Sequence, residues 1–438
     1  MSALQAMGFP ETEVRGRAQQ GAAAAFPPVE CYGREVFGGW SSPAYENTGD
    51  SLDHIRLVPP VFTPQRLEKL IALGREPLYT DVDLETAIGS FRSPLPYFIC
   101  AFGSTEMGGP EIARALSRQA GRLGLPMVIG ENVVPVNGYA AGEPSSDALS
   151  LLFRLRSYLE EVPDGWGGVV VQQSTEDADA EVWNTVYSDP SVRSLLESGR
   201  LAFELKIGQG AKPGLGGMTL LDTEDADRLS GQYAVHSMYG DDHGKRLRCS
   251  APGTFTEEIM RQQIRLMRNN YPRAGIWVKL PPSRDIAVAA ATAWAAGAEV
   301  VTVDGAEGGT GWAPNTFLDQ VGLPLAQCLD RIGIRKDCLL ASGRIWEGGR
   351  AVKCMALGAR AVGLGRAALI ATDEDRDHGL TRLVEALDME SRMLISALGK
   401  YRADALAPED VWVPANAGYQ PRIASVVNGQ KGAPDDKQ

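Results

Sequence analysis

The 438-residue chain is 44% hydrophobic and 22% charged, with a formal net charge of −12 and no run of clustered Lys or Arg. That composition belongs to a globular protein with a full core, and the acidic balance sets nucleic acid aside as a partner. Six cysteines (Cys31, Cys100, Cys249, Cys328, Cys338 and Cys354) form no CxxC pair and the four histidines lie far apart, which argues against a locally built zinc or iron-sulfur site.

Met1 to Arg17 carries Glu11, Glu13 and Arg15 where a signal peptide would need an apolar core. Residues 1–94 hold Pro27-Pro28, Pro59-Pro60 and many aromatic and charged residues without a βα rhythm, so they read as an N-terminal extension packed on the domain that follows. From residue 95 short apolar runs alternate with helical-period segments. The strand candidates are Tyr97–Ala101, Pro126–Ile129, Val169–Gln173, Ala202–Ile207, Ile276–Leu280, Glu299–Val303, Cys338–Ala341 and Arg360–Gly363. Between them, helices are expected over Pro110–Leu123, Ser146–Glu160, Ala180–Ser198, Thr256–Asn269, Ser283–Ala296 and Gly348–Leu357. The alanine-rich run Ala287–Val301 is broken by Gly297 and Glu299 and is too short for a membrane span, so a soluble, cytoplasmic protein is expected.

Eight strands too short and too apolar for a half-exposed sheet favour an α/β fold of the (β/α)8 TIM barrel type over a doubly wound open sheet. The barrel would cover 95–372, with a long polar, glycine-rich loop at 208–255 leaving the fourth strand. Residues 373–438 would form a C-terminal helical extension: a solvated charged run at Asp373–Asp377, a helix from about Leu380 to Ala403, and a frayed tail.

Barrel enzymes gather their chemistry at the C-terminal ends of the strands. Lys206-Ile207-Gly208-Gln209-Gly210-Ala211-Lys212-Pro213-Gly214-Leu215-Gly216-Gly217 follows the fourth strand and sets two lysines and a glutamine among five glycines. Such a loop brings bare backbone and cations to an anionic ligand. The other strand ends carry Phe102, Gly103 and Ser104; Glu131; Gln173; Lys279; Asp304 to Gly311, with Glu307, Gly308, Gly309 and Thr310; Ser342, Gly343 and Arg344; and Gly363, Gly365 and Arg366. Arg344 and Arg366 beside glycine turns after strands seven and eight mark the place where barrels commonly hold a phosphate, which implies a phosphate-bearing cofactor or substrate. Lys279 sits inside the apolar strand Ile276–Leu280, so it must be paired or ligand-bound; a structural ion pair with Asp304 is the alternative.

Together Glu204–Gly217, Asp304–Pro314 (DGAEGGTGWAP), Ala101–Ser104, Gly130-Glu131, Ser342–Arg344 and Gly363–Gly365 resemble the FMN-binding synthase domain of glutamate synthase over about residues 95–372. The resemblance implies a barrel that holds FMN, in which a 2-oxo acid condenses with ammonia and the imine takes hydride from reduced flavin. It implies that Phe102, Gly103, Ser104 and Gln173 contact the flavin and that Lys279 faces its N1 edge. Gly308, Gly309, Thr310, Ser342, Gly343, Arg344, Gly363, Gly365 and Arg366 would line the ribityl and phosphate path. Lys206, Gln209 and Lys212 would face the substrate with Ser250 nearby, and Glu131 and Glu307 are candidates for proton handling or for structural hydrogen bonds.

The departures are equally specific. Met218 stands where the family has a glutamine that helps hold 2-oxoglutarate, and Ile370–Ala405 contains no cysteine where the family carries a three-cysteine cluster. Only 94 residues precede the barrel, so no amidotransferase domain is expected there and the nitrogen would come from solution, from a partner protein or from another amine. The chain is also similar to the flavin subunit of N-methylglutamate synthase. The expectation is an FMN-dependent oxidoreductase acting at an α-amino acid carbon through a 2-imino acid, a homo-oligomer with an amidotransferase-like or electron-donor partner possible. The alternatives are a flavin subunit inactive alone and a flavin-free sugar-phosphate barrel.

Overall fold

The computed structural model describes residues 4–32, 34, 50–101, 109–130, 151–174, 182–210, 212, 218–231, 233–237, 244–249, 253–309 and 313–414. Eight parallel strands close into a barrel: β1 (Tyr97–Ile99), β2 (Met127–Ile129), β3 (Val169–Ser174), β4 (Leu201–Lys206), β5 (Gly275–Leu280), β6 (Val300–Asp304), β7 (Cys338–Ser342) and β8 (Ala361–Leu364). Val362 opposite Tyr97 completes the ring. This is the (β/α)8 fold that the strand spacing predicts.

The helices after the strands are α1 (Gly109–Arg122), α2 (Leu151–Leu159), α3 (Val182–Ser188), α4 (Glu257–Asn270), α5 (Ile286–Ala296), α6 (Leu325–Ile332), α7 (Gly348–Ala356) and α8 (Arg366–Glu374). The helix expected across Ala180–Ser198 is interrupted instead: Asp189 caps a 3-10 turn that begins at Pro190, which has no N–H to continue the ladder. The loop expected over 208–255 contains a three-stranded antiparallel sheet, with Met218–Asp222 and Ala234–Ser237 on either side of Lys245–Cys249.

Side chains inside the barrel stack in layers. The lower layer is apolar: Phe98, Val128, Val170, Ala202, Trp277, Val300, Leu340 and Ala361 are all buried. Its floor is a hairpin, Thr86–Ile88 and Phe91–Ser93, whose turn at Gly89 adopts φ 57° and inserts Ile88 and Phe91 beneath the strands. The Phe91 and Trp277 rings lie 5.2 Å apart. One layer higher, strand alternation brings in Gln172, Glu204, Lys279, Thr302 and Ser342, all buried.

The charged run at 373–377, expected to be solvated, is exposed at Arg376 and Asp377 but engaged at its start. Asp373 and Glu374 bind Arg15 of the helix Glu11–Gln20 at 3.1 and 2.8 Å. The long helix Gly379–Ala397 packs over the same helix and over α7 and α8. Because Phe91 fills the barrel floor with no exposed face, Phe91→Ala is expected to cost about 3–5 kcal/mol, read as a lower urea-unfolding midpoint.

Candidate active site

Lys279, nearly the last residue of a strand buried along its whole length, would be desolvated without a partner. Its Nζ lies 3.2 Å from Asp304 Oδ2, at the end of the next strand. Burial works against the ammonium, but Asp304, with Cys100 and Glu204 adding, overrides it and holds the lysine pKa above its ordinary value. The ion pair weighed for Lys279 is therefore present, at the C-terminal mouth of the barrel.

Asp304 is a hub. It also accepts the Ser342 hydroxyl and, at 3.2 Å, the backbone N–H of Gly210. That last bond ties the glycine loop after β4 to the loop after β6, and the contact demands glycine: a Cβ on Gly210 would lie 2.6 Å from the Gly308 carbonyl. The Lys212 N–H closes a turn onto the Gln209 carbonyl at 3.0 Å, and Lys206 Nζ reaches Gln209 Oε1 at 3.4 Å. Lys206 is in register with Lys279, so Lys206, Gln209 and Lys212 come together beside the Lys279–Asp304 pair.

Glu204, in the same layer, accepts hydrogen bonds from Gln172 and, at 3.1 Å, from Thr302. Burial raises its pKa against the opposing pull of Lys279. Gln172 thus enters the barrel, whereas Gln173 alternates to the other face, where its Nε2 is buried without a partner among the described residues.

The phosphate-type end is built from β7 and β8. Gly343 and Arg344 adopt φ values of 147° and 53°, and Arg344 is the one non-glycine with positive φ among the described residues, a cost tolerated where surroundings impose it. Its guanidinium lies 3.3 Å from Asp53 and 3.5 Å from Asp50, while its Nε is buried without a hydrogen-bond partner among the described residues. Arg350 binds both aspartates as well, and Lys353 donates to the Leu52 carbonyl at 2.9 Å. Arg366 donates to the Glu307 carbonyl at 2.6 Å and stacks over Phe9 at 4.5 Å. Burial, with Arg344 and Arg350 near it, lowers the Arg366 pKa to about 10.

Glu307 serves α6: its carboxyl accepts the Leu325 N–H at 2.9 Å. Burial, with Asp50 adding to it, pushes that carboxyl up to about 8. Gly309 passes so close to Arg366 that a Cβ would meet Nε at 2.4 Å, and a Cβ on Gly363 would strike Cys100 Sγ at 2.3 Å. A Cβ on Gly365, by contrast, would find ordinary contact with Cys100 at 3.8 Å, which leaves backbone room at the start of α8. Phe102, Gly103, Ser104, Glu131, Ser250 and Thr310 lie outside the described residues. Glu204, Gln172, Asp50 and Asp53 were not singled out in sequence; the period-two alternation of β3 and β4 marks the first two, and no local signal marks the aspartates.

Residues 165–375 match the family described as the conserved region in glutamate synthase. That stretch, a little under half of the chain, is glutamate synthase-like. The archaeal-type glutamate synthase [NADPH] of Dehalococcoides mccartyi is 35% identical over 187 residues, 40% of this chain and 36% of that one. A glutamate synthase large subunit-like protein of Rhizobium meliloti is 36% identical over 186 residues, 40% of this chain and 41% of that one. The matched stretch therefore spans well under half the length of either relative. The recombinant flavin-binding domain of baker's yeast flavocytochrome b2 aligns over 89% of this chain and 84% of its own with a TM-score of 0.54 at 16% identity. A soluble mutant of (S)-mandelate dehydrogenase from Pseudomonas putida aligns over 93% and 99% with a TM-score of 0.54 at 17% identity. Those two likenesses are of fold.

Glu307 sets a pH dependence. The folded chain keeps this carboxyl protonated to about pH 8, while an unfolded glutamate releases its proton near 4.5. Its contribution to stability is complete below the unfolded value and is lost as pH rises toward 8. Glu307→Gln is expected to flatten that decline, which approaches about 1.4 kcal/mol per pH unit at its steepest, in chemical unfolding from pH 5 to 9.

Proposed function

We propose that the barrel mouth binds FMN and that the protein is an FMN-dependent oxidoreductase that forms or oxidises the C–N bond of an α-amino acid through a 2-imino acid. The observation that carries this reading is the convergence at one mouth of a desolvated, charge-stabilised lysine, a lysine-bearing glycine loop and an arginine whose buried Nε has no partner among the described residues. Lys279 would face the isoalloxazine ring, and Arg344, Arg366 and the N-terminus of α8 would hold the phosphate. FMN supplies the hydride chemistry.

The chain's own residues divide the remaining work. Asp304 keeps Lys279 charged in a dry site and pins the glycine loop through the Gly210 N–H. Lys206 and Lys212 offer cations to a substrate carboxylate, and Gln209 orients Lys206. Glu204 gives the layer that holds Lys279 a carboxyl that burial biases toward its protonated form. Glu307 and Arg366 brace the loops around the mouth, so the role supported for Glu307 is structural. Gln173 turns away from the barrel interior, in register with Leu205, and is withdrawn as a flavin contact; Gln172 is the glutamine that enters the barrel.

A second reading is a flavin-bearing subunit that works only within a complex. It is favoured by the likeness to a Rhizobium meliloti protein described as glutamate synthase large subunit-like.

The test is anaerobic addition of glutamate, N-methylglutamate and a panel of other amino acids to the purified holoprotein, with flavin absorbance recorded. Bleaching by one amino acid is expected, and Lys212→Met should weaken its binding by about 1.5–3 kcal/mol, the range for hydrogen bonds to charged groups, with flavin content unchanged. Bleaching by none would favour the subunit reading. Protein that takes up no FMN would contradict both.

A further inference from the structure

Arg344 keeps a backbone conformation that its own side chain disfavours, and the N-terminal segment supplies the restraint. Its φ of 53° lies in the left-handed region that glycine enters freely and other residues enter at a cost. The restraint is the short helix Ser51–His54. Asp50 caps that helix by accepting the Leu52 N–H at 3.0 Å. Asp50 and Asp53, both buried, present their carboxylates to Arg344 at 3.5 and 3.3 Å.

The two carboxylates are themselves held. Arg350, fully buried in α7, binds Asp50 through one terminal nitrogen and Asp53 through the other, which keeps both from swinging away from Arg344. One turn further along α7, Lys353 donates to the Leu52 carbonyl at 2.9 Å. The same segment also covers the other arginine of this end, since the Phe9 ring lies 4.5 Å from the Arg366 guanidinium.

A guanidinium is a rigid plane, so fixing one edge fixes the other. Both aspartates engage Nη1 of Arg344, while its Nε, whose N–H lies on the opposite edge, is buried without a partner among the described residues. A buried donor left without an acceptor is costly, and an oxyanion removes that cost. We infer that Asp50 and Asp53 are positioning residues for the phosphate: they hold the Arg344 turn and the plane of its guanidinium so that its Nε edge meets the flavin phosphate. This rests on the FMN reading proposed above. It gives the N-terminal segment a part in choosing the cofactor, exerted through Arg344.

Asp53→Asn in the full chain tests this, because it removes the carboxylate nearest Arg344 while Asp50 still caps the helix and binds Arg350. Wild type and variant, stripped of flavin, would be titrated with FMN and with riboflavin, and their thermal midpoints would check folding. The expected result is a wild-type preference for FMN that falls by about tenfold or more in the variant, the scale of a hydrogen bond to a charged group, with riboflavin affinity unchanged. Asp53→Glu keeps the charge that Arg350 needs but displaces the carboxylate by one methylene. It should lower the preference in the same direction, and it decides the matter if Asp53→Asn does not fold. In an Arg344→Gly background, where φ 53° carries no side-chain cost, Asp53→Asn should change the preference no further. A wild-type preference that survives both Asp53 variants, or variants that weaken FMN and riboflavin equally, would overturn this inference and leave the FMN reading standing. A wild type with no preference for FMN would overturn the phosphate site itself, and this inference with it.

Discussion

An ammonium cannot stay charged inside a closed barrel unless a carboxylate meets it there, and the rest of this site depends on Asp304 meeting Lys279. Removing one partner of such a buried pair typically costs about 3–5 kcal/mol, because the other charge is left desolvated. Here the loss would spread. Asp304 also anchors Ser342 from the next strand and the Gly210 N–H from the loop after β4, so one carboxylate organises four consecutive strand ends. Barrel closure supplies the geometry: β5, β6 and β7 lie side by side, with Asp304 opposite Ser342.

The strands were legible because each is buried on both faces and so reads as a short, continuous apolar run between glycines and polar residues. Facing was harder. Two adjacent glutamines precede the last residue of β3, and only the alternation anchored by Val170 below and Glu204 beside it shows that Gln172 enters the barrel. Helices α6 and α8 were not read: α6 is only eight residues long, and α8 begins directly after a glycine turn, too close to β8 for a separate helical period to show. The lysine-bearing glycine loop was legible as a ligand loop, but its attachment to Asp304 joins residues 94 positions apart.

Asp50 and Asp53 were illegible for the same reason. Their partners Arg344 and Arg350 lie some 300 residues away, and no local pattern records the pairing. Burial alone disfavours the charge on Asp50, but Arg350 overrides it and holds its pKa below the usual value. The short helix Ser51–His54 thereby becomes part of the wall behind the phosphate-type end, so the N-terminal segment and the cofactor end share one electrostatic network.

A mouth that holds FMN by its phosphate as well as its ring must distinguish FMN from riboflavin in equilibrium binding. Flavin-stripped protein would be titrated with FMN and with riboflavin while flavin fluorescence is followed. One FMN per chain, bound at least tenfold more tightly than riboflavin, is expected if Arg344, Arg366 and the start of α8 grip the phosphate. Equal affinity for the two would contradict the phosphate site, and no binding of either would contradict the flavin reading altogether.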